Sequence, residues 1–206
     1  KQNDGFLIVD EIYLNLDLRD SSPSAAKQPA PLNTVLANER LHNNTIVINS
    51  FSKYFGMTGW RLGWCVVPEG MTQVMERLAQ NLFICPSTLA QQAALACFTP
   101  ESLAQCEQKK AQLRTRATFV LDAIADMGLS IDATPDGAFY AYINIESTGL
   151  TAIEFCDRLL ETEYVALTPG DDFGEHNATR YVRLSFATEI SRLKEGLTRM
   201  KRFVKP

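Results

Sequence analysis

The sequence predicts an α/β fold in two parts: a mostly parallel sheet covered by helices over residues 1–100, then a long helix leading into a small α+β region over 101–206. Three observations predict it. Short continuous apolar runs at 6–9, 45–48 and 62–67 have the length and spacing of buried strands in one sheet. Apolar residues then recur at three- and four-residue intervals from Val74 onward, the period of helices packed on one face. Beyond Gly128, strand-like runs at 139–143, 164–167 and 181–186 alternate with helical stretches at 152–160 and 190–203.

Taken in order, the first run ends on Asp10 and Glu11, where a strand emerges from its sheet. It begins almost at Lys1, and a strand buried on both faces needs neighbours, so the sequence reads as a piece of a longer chain. Residues 17–34 are rich in Ser, Pro, Asp and Ala, and Pro23, Pro29 and Pro31 oppose regular structure, which predicts a loop. Pro68-Glu69-Gly70 closes the third strand. Pro86 interrupts the helical run that follows, Ser87 is placed to cap a second helix over 89–98, and Pro100 ends that helix. Residues 101–127 read as one helix with Leu103, Leu113, Ala117, Val120, Leu121 and Ile124 on its apolar side and Gly128 as terminator.

At 206 residues the chain can bury a sizeable core, and its 46% hydrophobic and 21% charged content is that of a globular protein. A net charge of −4 gives no basis for nucleic-acid binding. The cations between Arg192 and Lys205 are interrupted by acidic and apolar positions, as on a solvated helix face. Five cysteines are widely spaced without a CxxC pair, and His42 and His176 have no cysteine close by. That argues against a metal site and against a disulfide framework, and for a reduced, cytoplasmic setting. No apolar run approaches bilayer length and nothing in the first residues reads as a signal peptide, so no membrane partner is expected.

The chemistry concentrates at Lys53. Ser50-Phe51-Ser52-Lys53 follows the second strand directly, with Gly56, Gly59, Arg61 and Gly63 just after it. A lysine amine forms a Schiff base with an aldehyde when it is held still and can lose its proton. Short hydroxyls and a planar guanidinium suit phosphate oxygens, and glycines allow close backbone approach. No GxxxxGK[ST] is present, so this is not a nucleotide phosphate loop. On residue types alone, a lysine after a strand is more often a solvated surface group.

The whole segment, Asn49-Ser50-Phe51-Ser52-Lys53-Tyr54-Phe55-Gly56-Met57-Thr58-Gly59-Trp60-Arg61-Leu62-Gly63-Trp64, resembles the cofactor-lysine segment of the class I/II (fold type I) aminotransferases, which depend on pyridoxal 5'-phosphate. The resemblance implies that Lys53 carries the cofactor as a Schiff base and that Ser50, Ser52 and Arg61 hold its phosphate. Val9-Asp10-Glu11-Ile12-Tyr13 is similar to the family's Asp-x-x-Tyr element. By that likeness Asp10 faces the pyridine nitrogen, where a carboxylate keeps the ring protonated and electron-withdrawing, and Tyr13 faces the phenolic oxygen. Glu11 reads as solvated or structural.

Thr179-Arg180-Tyr181-Val182-Arg183-Leu184-Ser185-Phe186-Ala187 resembles the family strand whose arginine grips the substrate α-carboxylate. Strand alternation puts Tyr181, Arg183 and Ser185 on one face and Val182, Leu184 and Phe186 on the other, which selects Arg183 and leaves Arg180 nearer the surface. Pro135-Asp136-Gly137-Ala138-Phe139-Tyr140 is similar to a stretch that approaches the substrate, with Gly137 and Phe139 as contacts; Phe139 and Tyr140 as core aromatics is the plainer reading. Pro169-Gly170-Asp171-Asp172-Phe173-Gly174 looks like the family's Pro-Gly-x-x-Phe-Gly loop, shaping the approach to Arg183. Cys85, in the link between two helices, is expected to be a buried cysteine and not a nucleophile.

The resemblance spans nearly the whole chain but only the latter half of a family member. It implies the C-terminal part of the aminotransferase large domain plus a small C-terminal domain, amino acid and 2-keto acid substrates, and a homodimer when full length. Two other activities stay open on the same residues: a carbon–sulfur β-lyase, and the effector-binding domain of an aminotransferase-like transcription regulator. A structural domain with no activity in isolation is a further reading. Which amino acid is handled is not written in these residues.

Overall fold

A computed structural model describes residues 5–19 and 34–205. Most of the predicted 17–34 loop, with Pro23, Pro29 and Pro31, lies outside the described residues. The chain forms two compact units, residues 1–110 and 111–206.

The first unit holds a three-stranded mixed sheet in the order β1 (Leu7–Asp10), β2 (Thr45–Ser50), β3 (Gly63–Val66). β1 pairs with β2 in parallel and β3 pairs antiparallel to it. Gly63 lies opposite Ser50, and a Cβ there would sit 2.7 Å from the Asn49 carbonyl oxygen, so only glycine lets β3 come this close to β2. Helices α1 (Thr72–Phe83) and α2 (Thr88–Leu95) follow. The Ser87 hydroxyl accepts from the Ala90 amide and caps α2, which tightens into a 3-10 turn, Ala96–Phe98. Helix α3 (Pro100–Asp126) starts on Pro100, which occupies a first-turn position where its missing N–H costs nothing. Gly128, at φ +77°, stops it.

The second unit is built on an antiparallel sheet in the order β4 (Tyr140–Asn144), β6 (Tyr181–Ser185), β5 (Thr168–Pro169). The sheet has two unlike faces. Ala141, Ile143, Val182 and Leu184, with Ile145 and Phe186 beyond the strand ends, are buried, as are Phe155 and Leu159 of helix α4 (Ala152–Glu163), which packs on β6, and Leu193, Leu197 and Met200 of helix α5 (Ile190–Val204), which packs on α4. Val120, Ile124 and Met127 complete this core. Tyr140, Tyr142, Asn144, Tyr181, Arg183 and Ser185 share the opposite face.

Two local readings are corrected. The strand expected at 164–167 shrinks to Thr168–Pro169, because Tyr164 takes a left-handed conformation (φ 58°) as the C-cap of α4 and its amide closes the helix. Cys85 is exposed and not buried: Ile84 has φ 69° and the Cys85 amide donates to Phe83 O, which swings the link between α1 and α2 outward.

Candidate active site

β1 and β2 run parallel, Asp10 opposite Ile48, so their C-terminal ends lie side by side. In open α/β sheets that is the edge where ligands sit. The Asp10 carboxylate accepts from the Ile12 amide at 3.0 Å, and the turn it opens carries Tyr13. Glu11 is structural: it is buried and accepts from Thr34 Oγ1 (2.9 Å) and Val35 N (2.7 Å).

Lys53 follows the end of β2 by three residues, and its Nζ lies 5.6 Å from the centre of the Tyr13 ring. An amine and a phenol from two neighbouring strand ends thus converge. The turn that carries the lysine is tied down on both sides. Phe51 N donates to Leu62 O (3.1 Å), Met57 N to Phe51 O (3.0 Å), and Thr58 Oγ1 to Ser52 O (2.6 Å). Phe51 anchors it from below, buried with Met57, Leu62, Ala90 and Ala94 and edge-on to Trp64 and Phe98. Ser50 Oγ and Ser52 Oγ are 2.9 Å apart, and the Ser52 amide donates to Ser50 Oγ at 3.0 Å. Arg61 is exposed in a left-handed conformation (φ 52°), its Nη1 donating to Thr58 O at 2.9 Å. Beside this turn, burial first and the Glu107 hydrogen bond (2.7 Å) second raise the Tyr54 phenol far above its ordinary range, so it serves as a fixed donor.

In the second unit, Arg183 lies at the centre of the sheet, opposite Tyr142 on β4 and Thr168 on β5. Its guanidinium carbon is 4.3 Å from the Tyr140 ring centre and 4.2 Å from that of Phe173. Arg180 is at the surface, 3.1 Å from Glu146. Phe139 packs on Tyr140 with ring centres 4.5 Å apart, and Gly137 precedes Ala138, which has φ 60°. Sequence reasoning missed Thr58 as the tie on Ser52, and it did not give Tyr140 or Phe173 as partners of Arg183. Thr58 carried a faint signal in its place beside the lysine; the ring partners depend on strand register and carried none.

An amine, a phenol, a carboxylate, two hydroxyls and a guanidinium are groups that could hold a phosphorylated pyridine aldehyde. The family model for aminotransferase class I and II matches residues 1–200. The chain belongs to the class I and II aminotransferase family. It is 39% identical over 157 residues to the valine–pyruvate aminotransferase of Mycobacterium tuberculosis, an alignment covering 76% of this chain and 40% of that protein. It is 36% identical over 204 residues to a putative aminotransferase of Bacillus subtilis, covering 99% of this chain and 50% of that one. Among solved structures, the aromatic aminotransferase of Pyrococcus horikoshii superposes with a TM-score of 0.86 at 33% identity, covering 97% of this chain and 51% of that one. A crystal structure from Methanococcus jannaschii, described as similar in its active site to kynurenine aminotransferases, gives 0.86 at 33% identity over 98% of this chain and 51% of that one. The chain thus spans about half the length of its family relatives, and it has the family's α/β fold with mixed sheets and helices. Family members depend on pyridoxal phosphate.

Among the described residues no helix is long and apolar enough to cross a membrane, and no group of three or more His, Cys, Asp and Glu is placed to hold a metal.

Proposed function

We propose that the whole protein is a pyridoxal-phosphate-dependent aminotransferase that moves an amino group between an amino acid and a 2-keto acid. The observation that carries this is the convergence of the Lys53 amine and the Tyr13 ring at the ends of adjacent parallel strands, one of which ends on Asp10. In this reading Lys53 tethers the cofactor, Asp10 takes the pyridine nitrogen, Tyr13 the phenolic oxygen, and Ser50, Ser52 and Arg61 the phosphate. When bound, the cofactor supplies an electron sink that makes the substrate's α-hydrogen acidic. The Lys53 Nζ would act as general base toward that hydrogen, holding the proton and giving it back. Its turn, held by Thr58 and the Phe51 core, keeps the amine in one place while it does so. Arg183 grips the substrate α-carboxylate through paired in-plane N–H groups, with Gly137 and Phe139 near the substrate. The partial large domain then takes in residues 1–100, and the long linking helix with the small domain residues 101–206, beside a division into compact units after residue 110. The many large apolar side chains exposed between Phe6 and Phe98 suit cover by the rest of the whole protein and by a second copy in a homodimer, exposed free thiols at Cys65 and Cys85 suit a reducing cytoplasm, and amino acid and keto acid substrates give the protein a place in amino acid metabolism.

The test is product analysis on the whole protein with amino acid and keto acid together. An exchanged amino group is expected, falling about 10²-fold or more in Lys53→Ala. Ammonia and pyruvate from a sulfur-containing amino acid would establish the β-lyase reading instead. Turnover unaffected by Lys53→Ala would end both.

A further inference from the structure

The geometry points to Tyr140 and Phe173 as an aromatic clamp on Arg183, two positioning residues that make its guanidinium a receptor open at its edge to a planar carboxylate. The inference rests on the reading of Arg183 as the carboxylate ligand and adds what holds and shapes that ligand.

The two rings come from different parts of the second unit and reach the same guanidinium, at 4.3 Å and 4.2 Å. Tyr140 stands on β4, one pleat along from Tyr142, the residue opposite Arg183. Phe173 arrives from the turn after Gly170–Asp172, and three restraints fix it there. Its amide donates to Gly170 O at 2.9 Å. Gly170 is pressed into the sheet so closely that a Cβ would lie 2.3 Å from Ala178 O and 2.7 Å from both Tyr142 Oη and Tyr181 O. The Phe173 ring stands edge-on to Tyr142 (centres 6.4 Å apart, 82°), which is itself stacked on Tyr181 at 4.8 Å and 4°. Phe173 is 47% exposed within this chain, so the packing that fixes its ring is local to the turn and to Tyr142.

Guanidinium faces are weakly hydrated and are attracted to ring faces, whereas the N–H donors all lie in the plane. Rings stacked on those faces would hold Arg183 without consuming its hydrogen bonds. Among the described residues it makes no ion pair, so its donors remain for a ligand. A carboxylate meeting two parallel in-plane N–H groups fits that edge. Ordering the arginine beforehand removes an entropy cost from binding. A lysine at 183 has no plane to clamp and cannot substitute.

The experiment uses the whole protein, ¹⁵N-labelled, following the Nε–Hε signal of Arg183, assigned by its loss in Arg183→Lys, during titration with pyruvate at constant ionic strength. The unmodified chain is expected to show a saturable shift. Phe173→Leu and Tyr140→Leu should each weaken binding about fivefold, while Phe173→Tyr and Tyr140→Phe, which keep a ring, should stay within about twofold. Amide spectra report folding; if a leucine variant loses its fold, Met at the same position keeps apolar volume without a π face and takes its place. Binding by the leucine or methionine variants equal to that of the unmodified chain overturns the clamp and leaves Arg183 as the ligand. No response from the unmodified chain overturns the carboxylate reading of Arg183, and the clamp with it.

Discussion

At position 170 an added methyl group would press on two carbonyl oxygens and a phenol, all closer than 3 Å, and two of the three are backbone atoms that cannot swing away. Gly170→Ala is therefore expected to destabilise the second unit by roughly 2 kcal/mol, the usual scale of overpacking, read as a lower urea midpoint. Gly196 is the opposite case. It lies inside α5, and a Cβ added there would meet nothing within 4 Å, so Gly196→Ala should raise stability by about 0.5–1 kcal/mol through helix propensity. A third single-residue effect is a pH dependence. Burial above all, then Asp157, Asp172 and Asp171, push the Cys156 thiol up to about 11 from an ordinary value of 9.0. The folded state thus keeps a proton that the unfolded chain releases. The associated stability is complete below about pH 9 and is lost as pH rises toward 11. Urea midpoints of the reduced protein at pH 8 and pH 10.5 should separate more for the unmodified chain than for Cys156→Ala.

At the scale of elements, α4 shows how a helix end is held. The Thr151 hydroxyl accepts from the Glu154 amide at 3.3 Å, while the Glu154 carboxylate takes the Thr151 amide at 3.0 Å, a reciprocal cap that also lowers the Glu154 pKa. Thr151→Ala should cost about 1 kcal/mol in urea unfolding. Glu154→Gln, which keeps an acceptor oxygen, should cost less. Long elements such as α3 and α5 were readable in the sequence because many positions repeat the same period, and α3 also because Gly128 follows it as a terminator. The run at 164–167 was misread because four apolar residues fit a strand as well as a chain leaving a helix cap, and only the left-handed Tyr164 decides between them. Cys85 was misread because a cysteine's burial depends on which way one turn points. That Lys53, Asp10 and Tyr13 stand near strand ends was legible because each lies within a few residues of an apolar run; the roles proposed for them came from the family resemblance. The flanking of Arg183 by Tyr140 and Phe173 was not legible, since it depends on pairing across β4 and β6 and on a loop held by Gly170. That loop was read only as shaping the approach to Arg183.

At the scale of the molecule, the two units differ in how they treat apolar surface. Buried hydrophobic residues line one whole face of the sheet in the second unit, whereas in the first the strand β1 and the residue before it are exposed: Phe6 is 57%, Leu7 44% and Ile8 64% accessible. Leu82, Ile84 and Leu89, around the link between α1 and α2, reach 72%, 80% and 76%. Among the described strands β1 pairs only with β2, so its other edge offers a row of backbone donors and acceptors next to apolar side chains. Apolar surface and an open strand edge both favour association, and the net charge of −4 spread over 206 residues opposes it only weakly. The 206-residue chain is therefore expected to self-associate at micromolar concentration, with a scattering mass that rises with concentration. If the first unit's surface is responsible, Ile8→Lys combined with Ile84→Lys and Leu89→Lys should bring the mass close to that of one chain. Ile153→Lys, at a 52% exposed site on α4, should leave it unchanged. A mass that stays at one chain up to high concentration, or one lowered equally by the α4 substitution, would show that this surface does not drive association, and would remove the support it lends to a dimer.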